Sequence, residues 1–439
     1  MLSNPDLLTA NDTAGELPAS YYAATAIRKT DYPALQGDLT CDVCVVGGGY
    51  TGLSTALHLG QRGYRVALLE AHKVGWGASG RNGGQVGPGQ RVDQEVLESR
   101  HGIAHAKALW DLSLQSMDLL HALIRDHGID CEFRPGLVEA VHRKDWLEET
   151  RDYVEHLRQV YAYDRIDYLD GDAIREWVAS PAYFGGAYNR GAGHLHPLNF
   201  ALGLATACET AGVDIFENSK VLRYRQGQTI TVETEMGTVK ARYLVLGCNG
   251  YLGRLDGQTA AHVMPINNFI IATEPFSPDE AAALIKDRAA VADTKFVINY
   301  FRLSSDNRLL FGGGETYSYT FPKDIKSFVR RPMLEIFPQL KDARIDYGWG
   351  GTLAITPKRM PYFARIAPNV LSASGYSGHG VAMATLAGQI CAEAIDGIAG
   401  RFDLFERINV PAFPGGARFR YPLLVLAMTW FAMRDRLGI

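Results

Sequence analysis

CDVCVVGGGYTGLSTALHLGQRGYRVALLEAHKVGWGASGRNGGQ, residues 41–85, decides the fold. Val43, Val45 and Val46 form a β-branched run suited to a buried strand. The run feeds Gly47-Gly48-Gly49-Tyr50-Thr51-Gly52, a G-x-G-x-x-G, after which Leu53, Ala56, Leu57 and Leu59 recur at helical spacing up to Gly63. A second strand, residues 65–69, closes on Glu70 and Ala71. Gly47 permits the tight strand-to-helix turn, Gly49 lets a pyrophosphate approach the backbone, and Gly52 lets the helix pack closely on the strand. Tyr50 and Thr51 open the helix, whose free N–H groups and partial positive charge suit phosphates. Glu70 lies 18 residues past Gly52, where a carboxylate can accept hydrogen bonds from a ribose. Strand, helix, strand and acid in this order read as a dinucleotide-binding unit rather than a glycine-rich turn.

Directly after Glu70 and Ala71 the chain carries five glycines in eleven residues, Gly75-Trp76-Gly77-Ala78-Ser79-Gly80-Arg81-Asn82-Gly83-Gly84-Gln85. That density predicts backbone lying flat against a large planar ligand, where a Cβ would clash, rather than a mobile surface loop. Far along the chain the strand 370–374 runs into Gly375-Tyr376-Ser377-Gly378-His379-Gly380 and a helix over 381–394 with Ala382, Ala384, Ala387 and Gly388 on its packing side. One phosphate-binding turn does not require a second glycine-lined helix start. A cofactor with an anionic reduced ring does, because a helix N-terminus stabilises its carbonyl edge.

The remaining chain is organised around these turns. With 439 residues, 47% of them hydrophobic and 21% charged, it can hold two or three well-cored domains. A net charge of −4 points away from nucleic acid, and no apolar run reaches the length of a membrane span. The N-terminus lacks the pattern of a secretory signal and reads as a flexible or surface-lying arm. Cys41-Asp-Val-Cys44 straddles a strand start, which predicts opposite-facing buried thiols rather than a metal pair. With no disulfide-scaffold pattern among the six cysteines, a cytoplasmic location follows. His194 and His196 lack ligand partners at metal spacing and read as loop structure, so no metal is expected.

Helices are predicted over 92–128, 145–161, 199–211 and 325–337, and strands over 130–141, 213–216, 221–225, 242–246 and 296–303, with a hairpin at 229–240. Gly247-Cys248-Asn249-Gly250 follows a buried strand, as if the chain had returned to the nucleotide sheet. The predicted class is α/β (α+β overall), a Rossmann-like nucleotide domain with an interleaved substrate domain on an antiparallel sheet. The expected division is an arm over 1–40, a discontinuous nucleotide domain over 41–90, 193–262 and 346–400, a substrate domain over 91–192 and 263–345, and a tail over 401–439. The apolar stretch 421–433 is too short to span a bilayer and is expected to dock on protein.

With these residues, and with YFRLSSDNRLLFGGG (300–314), FPQL (337–340) and KRMP (358–361), nearly the whole chain resembles the FAD-dependent D-amino-acid-oxidase-like superfamily. That superfamily includes glycine and sarcosine oxidases, and the nearest resemblance is to bacterial γ-glutamylputrescine oxidases. The resemblance implies FAD as cofactor. Gly47, Gly49 and Gly52 would line its pyrophosphate and Glu70 its adenosine ribose, with Tyr50, Thr51 and Ala71 beside them. Gly77, Ala78, Ser79, Asn82, Gly83, Gly84 and Gln85 would pass the pyrophosphate and reach the isoalloxazine. Val221 would meet the adenine through its backbone, Gly247 and Gly250 would border the cofactor, and Gly375–Gly380 would meet the ring. Sarcosine oxidases carry a flavin-linked cysteine where this chain has Gly351, so FAD should be held non-covalently. They also place a lysine for the substrate carboxylate where this chain has Ala382, which favours an amine without an α-carboxylate.

The resulting expectation is an FAD-dependent amine oxidase acting on a polyamine or γ-glutamylated polyamine, with molecular oxygen as acceptor and hydrogen peroxide as product. Tyr300, Arg302 and Arg359 are the candidate substrate or oxygen-handling residues, each with a bland alternative as core or surface ion pair. His379 is read as holding backbone or flavin rather than moving protons. The competing readings are a dehydrogenase using another acceptor and a non-catalytic FAD-binding subunit.

Overall fold

The computed structural model describes residues 6–316 and 318–417. Two sheets organise it. The first has eight strands, with Tyr362–Ala367, Val370–Ser374, Gly237–Leu246, Gly37–Val46, Val66–Leu69 and Asp214–Phe216 as neighbours in that order. All adjacent pairs along this path are parallel except the first. The central strand Gly37–Val46 is flanked on one side by the strand that follows it through a helix, and on the other by a strand from much later in the chain. Open parallel sheets bind ligands in the crevice at such a reversal of order. Register places Val46 opposite both Leu69 and Leu246, and Leu246 opposite Ser372. Gly47, Glu70 and Gly247 therefore emerge along one edge, with Gly375 beside them.

The second sheet has nine strands. It is antiparallel except for the parallel pair Arg134–Val141 and Ala290–Asp293. The short strand Gln85–Val86 pairs with Gly185–His194 in this sheet, so the glycine-rich segment after Glu70 is the crossing from one sheet to the other. The strand Ile345–Ile355 also belongs here, paired along its length with Met264–Thr273. A boundary at 346 thus falls at the head of a second-sheet strand.

Several local expectations need correction. The helix expected over 92–128 is two helices, Gln94–His101 and Ile103–Asp126, because Gly102 between them takes φ +80°, a conformation that ends a helix. Residues 237–246 form one ten-residue strand rather than two pieces. Cys41 and Cys44 share one core cluster instead of facing apart. Asp42 and Val43 both donate to the Arg65 carbonyl, and this local irregularity breaks the alternation. The N-terminal arm is not loose. Tyr21 and Tyr22 are 2% and 0% exposed, and the first sheet already begins at Gly37. The apolar stretch 421–433 lies outside the described residues. Among the described residues no single helix is long and apolar enough to cross a membrane.

Candidate active site

The crevice floor is built from glycine because the backbone leaves no room for anything else. A Cβ on Gly52 would stand 1.8 Å from the Gly47 carbonyl, and one on Gly47, at φ +108°, 2.9 Å from the Gly247 carbonyl. Gly49 precedes the helix Tyr50–Gly60, which has no side-chain cap, and its Cβ would meet Ser79 Oγ at 2.9 Å. Tyr50 donates its N–H to Ser79 Oγ and its hydroxyl to the Ser79 and Pro197 carbonyls, which ties the helix start to the crossing segment. Glu70 is buried and accepts from the Gly48 N–H at 2.6 Å and the His72 N–H at 2.9 Å. Burial raises its pKa, against the two backbone bonds that favour the carboxylate. Ala71 follows, half-buried. The Ser219 N–H donates to the Glu70 carbonyl, which brings the half-buried Val221 segment alongside.

The second turn closes on the first. Tyr376 Oη lies 2.7 Å from Thr51 Oγ1, a hydrogen bond between residues 325 apart in sequence. The helix Gly380–Ile395, also without a side-chain cap, packs so closely on Tyr50–Gly60 that a Cβ on Gly388 would stand 2.5 Å from the Thr51 carbonyl. The Gly375 N–H donates to Asn249 Oδ1, and the Ser377 hydroxyl accepts from the Thr356 N–H. Gly250 lies flat on the Leu353 carbonyl. His379 Nε2 donates to the Gly87 carbonyl, and burial holds its pKa down at about 4, so the ring is neutral at pH 7. Gly378, at φ +90°, leaves open space over the turn.

Gly47, Gly49, Ala78, Ser79, Asn82, Gly83, Gly247 and Asn249 all keep accessible surface although they lie between the two sheets. An elongated dinucleotide fits that arrangement: helix N-termini from two parts of the chain whose preceding residues, Gly49 and His379, supply no side-chain cap, a carboxylate at one strand end, and a lane of small residues between them.

The crossing segment differs from expectation. Its glycines meet protein rather than an open face. Cβ atoms would fall 2.9 Å from Leu198 at Gly75, 2.3 Å from the Gly75 carbonyl at Gly80, 2.7 Å from the Tyr300 ring at Gly83 and 2.0 Å from the Leu195 carbonyl at Gly84. Gly77 contacts Tyr251. Asn82 staples the segment, donating to the Ala78 and Ser79 carbonyls and accepting from the Gly84 N–H. Gln85 donates to the Val291 carbonyl. Arg81 is the residue the sequence did not single out. It is fully buried, stacks 4.3 Å from the Trp76 ring, donates to the Trp76 and Gly350 carbonyls, and pairs with Asp12 of the N-terminal arm at 2.7 Å. Gly351 lies against it, where a Cβ would meet Arg81 at 3.1 Å.

Of the three candidate reacting residues, two share a face. Tyr300 packs its ring over Gly83 and Gly312 and donates its hydroxyl to Asn268 Oδ1. Arg302 does not present an open guanidinium. It is 3% exposed, donates to the Gly83 carbonyl at 2.7 Å and to the Tyr22 hydroxyl at 3.3 Å, and so holds the crossing segment in place. Arg359 stands apart, on a turn at φ +61° whose N–H donates to the Thr356 carbonyl, and lines a cavity of about 630 Å³. His194 and His196 are structural. The first donates to the Arg288 carbonyl, and the second caps the helix Pro197–Thr210 by accepting from the Asn199 N–H.

The profile of the family described as FAD dependent oxidoreductase (DAO) matches residues 42–394. The γ-glutamylputrescine oxidoreductase of Escherichia coli strain K12 is 40% identical over 428 residues, which cover 97% of this chain and 100% of that protein. A probable oxidoreductase, OrdL, of Rhizobium meliloti is 39% identical over 418 residues, covering 95% and 97%. Among solved structures, glycine oxidase from Geobacillus kaustophilus superposes with a TM-score of 0.69 at 23% identity, over 82% of this chain and 95% of that one. L-Proline dehydrogenase from P. horikoshii gives 0.67 at 20% identity, over 86% and 100%.

Proposed function

Because this chain belongs to the DAO family of FAD-dependent oxidoreductases, enzymes acting on CH–NH or CH–NH2 groups, we propose that it oxidatively deaminates a polyamine or a γ-glutamylated polyamine such as γ-glutamylputrescine. Substrate amine, water and oxygen give the aldehyde, ammonia and hydrogen peroxide. The observation that carries this reading is the end-to-end likeness, at 40% identity, to a γ-glutamylputrescine oxidoreductase. The site supports it in a second way. Ala382, where the sarcosine-oxidase pattern places a lysine, is a buried residue of a core helix, so no cation from that position awaits an α-carboxylate.

In this reading Gly47, Gly49, Gly52 and the start of the helix Tyr50–Gly60 hold the pyrophosphate of FAD, and Glu70 holds the ribose. The Val221 backbone meets the adenine, and Ala78–Gln85, Gly247, Gly250 and Gly375–Gly380 frame the ring. FAD, when bound, supplies the two-electron acceptor for hydride leaving the carbon that bears the amine. The protein orients and shields. Tyr300 walls the site at Gly83, and Arg302 positions that segment through its carbonyl. His379, neutral and with its Nε2–H committed to the Gly87 carbonyl, holds the second turn rather than relaying protons. Six thiols without a disulfide support a reducing, cytoplasmic setting.

Anaerobic addition of candidate amines tests the proposal. Polyamines or γ-glutamylated polyamines should bleach the flavin while glycine and sarcosine do not, and air should restore the colour with peroxide release. Bleaching by α-amino acids alone would overturn the substrate class, and recovery only with a dye acceptor would overturn the oxidase assignment.

A further inference from the structure

The cavity of about 630 Å³ beside the second turn carries more charge than amine oxidation needs. Its wall includes Arg91, Arg100, Lys358 and Arg359 with one carboxylate, Asp93, in the lining and a second, Glu315, within electrostatic reach of Arg91 and Arg359, in a chain of net charge −4. Among the described residues, neither Arg91 nor Arg100 has a carboxylate within ion-pair distance. The Lys358 ammonium donates, among the described residues, to one group, the Asn409 carbonyl. The cavity borders the second turn, with Arg91 close enough to His379 to act on it electrostatically. Arg359 donates its N–H to Thr356, whose own N–H donates to Ser377 in the second turn. Arg91 and Arg359 both act on Glu315, which pairs in register with Asn268, the acceptor of the Tyr300 hydroxyl.

Resting on the amine-oxidase reading above, we infer that this cavity binds the amino-acid head group at the far end of the substrate, with Arg100, Lys358 and Arg91 facing its carboxylate and Asp93 its ammonium. Asp93 beside the cations gives an ammonium a partner that a bare phosphate or a dicarboxylate would not use, so a zwitterionic head engages both signs of the lining. This places the carboxylate recognition of the enzyme away from the reacting carbon, which reconciles a cationic pocket with the alanine at 382.

The test compares γ-glutamylputrescine with N-(4-aminobutanoyl)putrescine, which keeps both amines and lacks only the carboxylate. The intact holoenzyme should prefer the first in kcat/KM. Arg100→Gln and Lys358→Gln should each cut that preference about tenfold, the value of one charge-assisted hydrogen bond. Arg100→Lys should restore part of it. An unchanged preference in both glutamine variants would overturn the inference. So would inorganic phosphate competing equally against both substrates, the mark of an anion site unrelated to the head group. Failure of either amine to bleach the flavin is a separate result and removes the amine-oxidase reading, and this inference with it.

Discussion

Replacing Asp12 by alanine should loosen the glycine-rich crossing segment from a distance. The Arg81–Asp12 pair is 2.7 Å long, with side chains 1% and 14% exposed. Removing one partner of a buried pair leaves the other charge uncompensated, at a cost of roughly 3–5 kcal/mol where both are fully enclosed. Here the Trp76 and Gly350 carbonyls stay with Arg81, while Nη2 already lacks an acceptor. Water can also enter where Asp12 keeps some exposure, so the expected loss is about 2–3 kcal/mol. A chain of this length has an unfolding entropy on the order of 0.9 kcal/mol per degree, which converts the loss to a fall in Tm of about 2–3 °C. The assay is thermal melting of the holoenzyme in excess FAD. Asp31→Ala serves as control, because that side chain is fully exposed opposite Lys73 and an exposed pair contributes little. A melting point for Asp12→Ala no lower than that of the control would refute the claim that the arm neutralises Arg81.

Gly52→Ala should yield colourless protein, because its Cβ would sit 1.8 Å from the Gly47 carbonyl and push the helix off the strand; a yellow variant at normal stoichiometry contradicts this. Acid stability should fall below about pH 6.5. Burial holds His58 and His379 at about 4 and His194 and His196 at about 3, well under their unfolded value. The unfolded chain therefore takes up protons first as the pH drops. The stabilisation is complete above about 6.5 and erodes below it by up to about 1.4 kcal/mol per pH unit for each histidine, until the folded values are reached. Urea midpoints that stay level from about pH 7 to pH 5 would count against it. Denaturation should release FAD into the supernatant, since Gly351 offers no nucleophile; flavin that stays with the precipitated chain would show a covalent link elsewhere. Tyr376→Phe should cost about 1 kcal/mol of stability by removing the bond to Thr51, read as a lower urea midpoint.

What could be read from sequence followed from how local its cause is. The first glycine motif was legible because turn, helix and acid are consecutive, and the 1.8 Å clearance at Gly52 is the physical form of that pattern. The glycines of 75–84 were legible as a constraint but not as to its source. Composition reports that a Cβ is excluded, and only the fold shows Tyr300, Leu195 and Leu198 doing the excluding. Strand propensity put Tyr300 and Arg302 on one strand, which the structure forms over Tyr300–Leu303. It could not say that the guanidinium ends on the Gly83 carbonyl. The arm was misread because Asp12 and the tyrosines at 21 and 22 sit in polar, non-periodic sequence, and their partners are tens to hundreds of residues away. The cations of the 630 Å³ cavity come from two segments more than 250 residues apart, so no window along the chain contains them both.

The hydrogen bond between Tyr376 and Thr51, 325 residues apart, also points to a schedule for biosynthesis. The middle strand of the first sheet leaves the ribosome early, yet its neighbour Gly237–Leu246 and the helix that covers Tyr50–Gly60 arrive only later, the helix near the end of translation. At ordinary elongation rates the interval is on the order of tens of seconds, during which the face of that early helix that meets Gly380–Ile395 has no cover. Until then that face is open to aggregation, and the helix Gly380–Ile395 is the closure that ends the exposure.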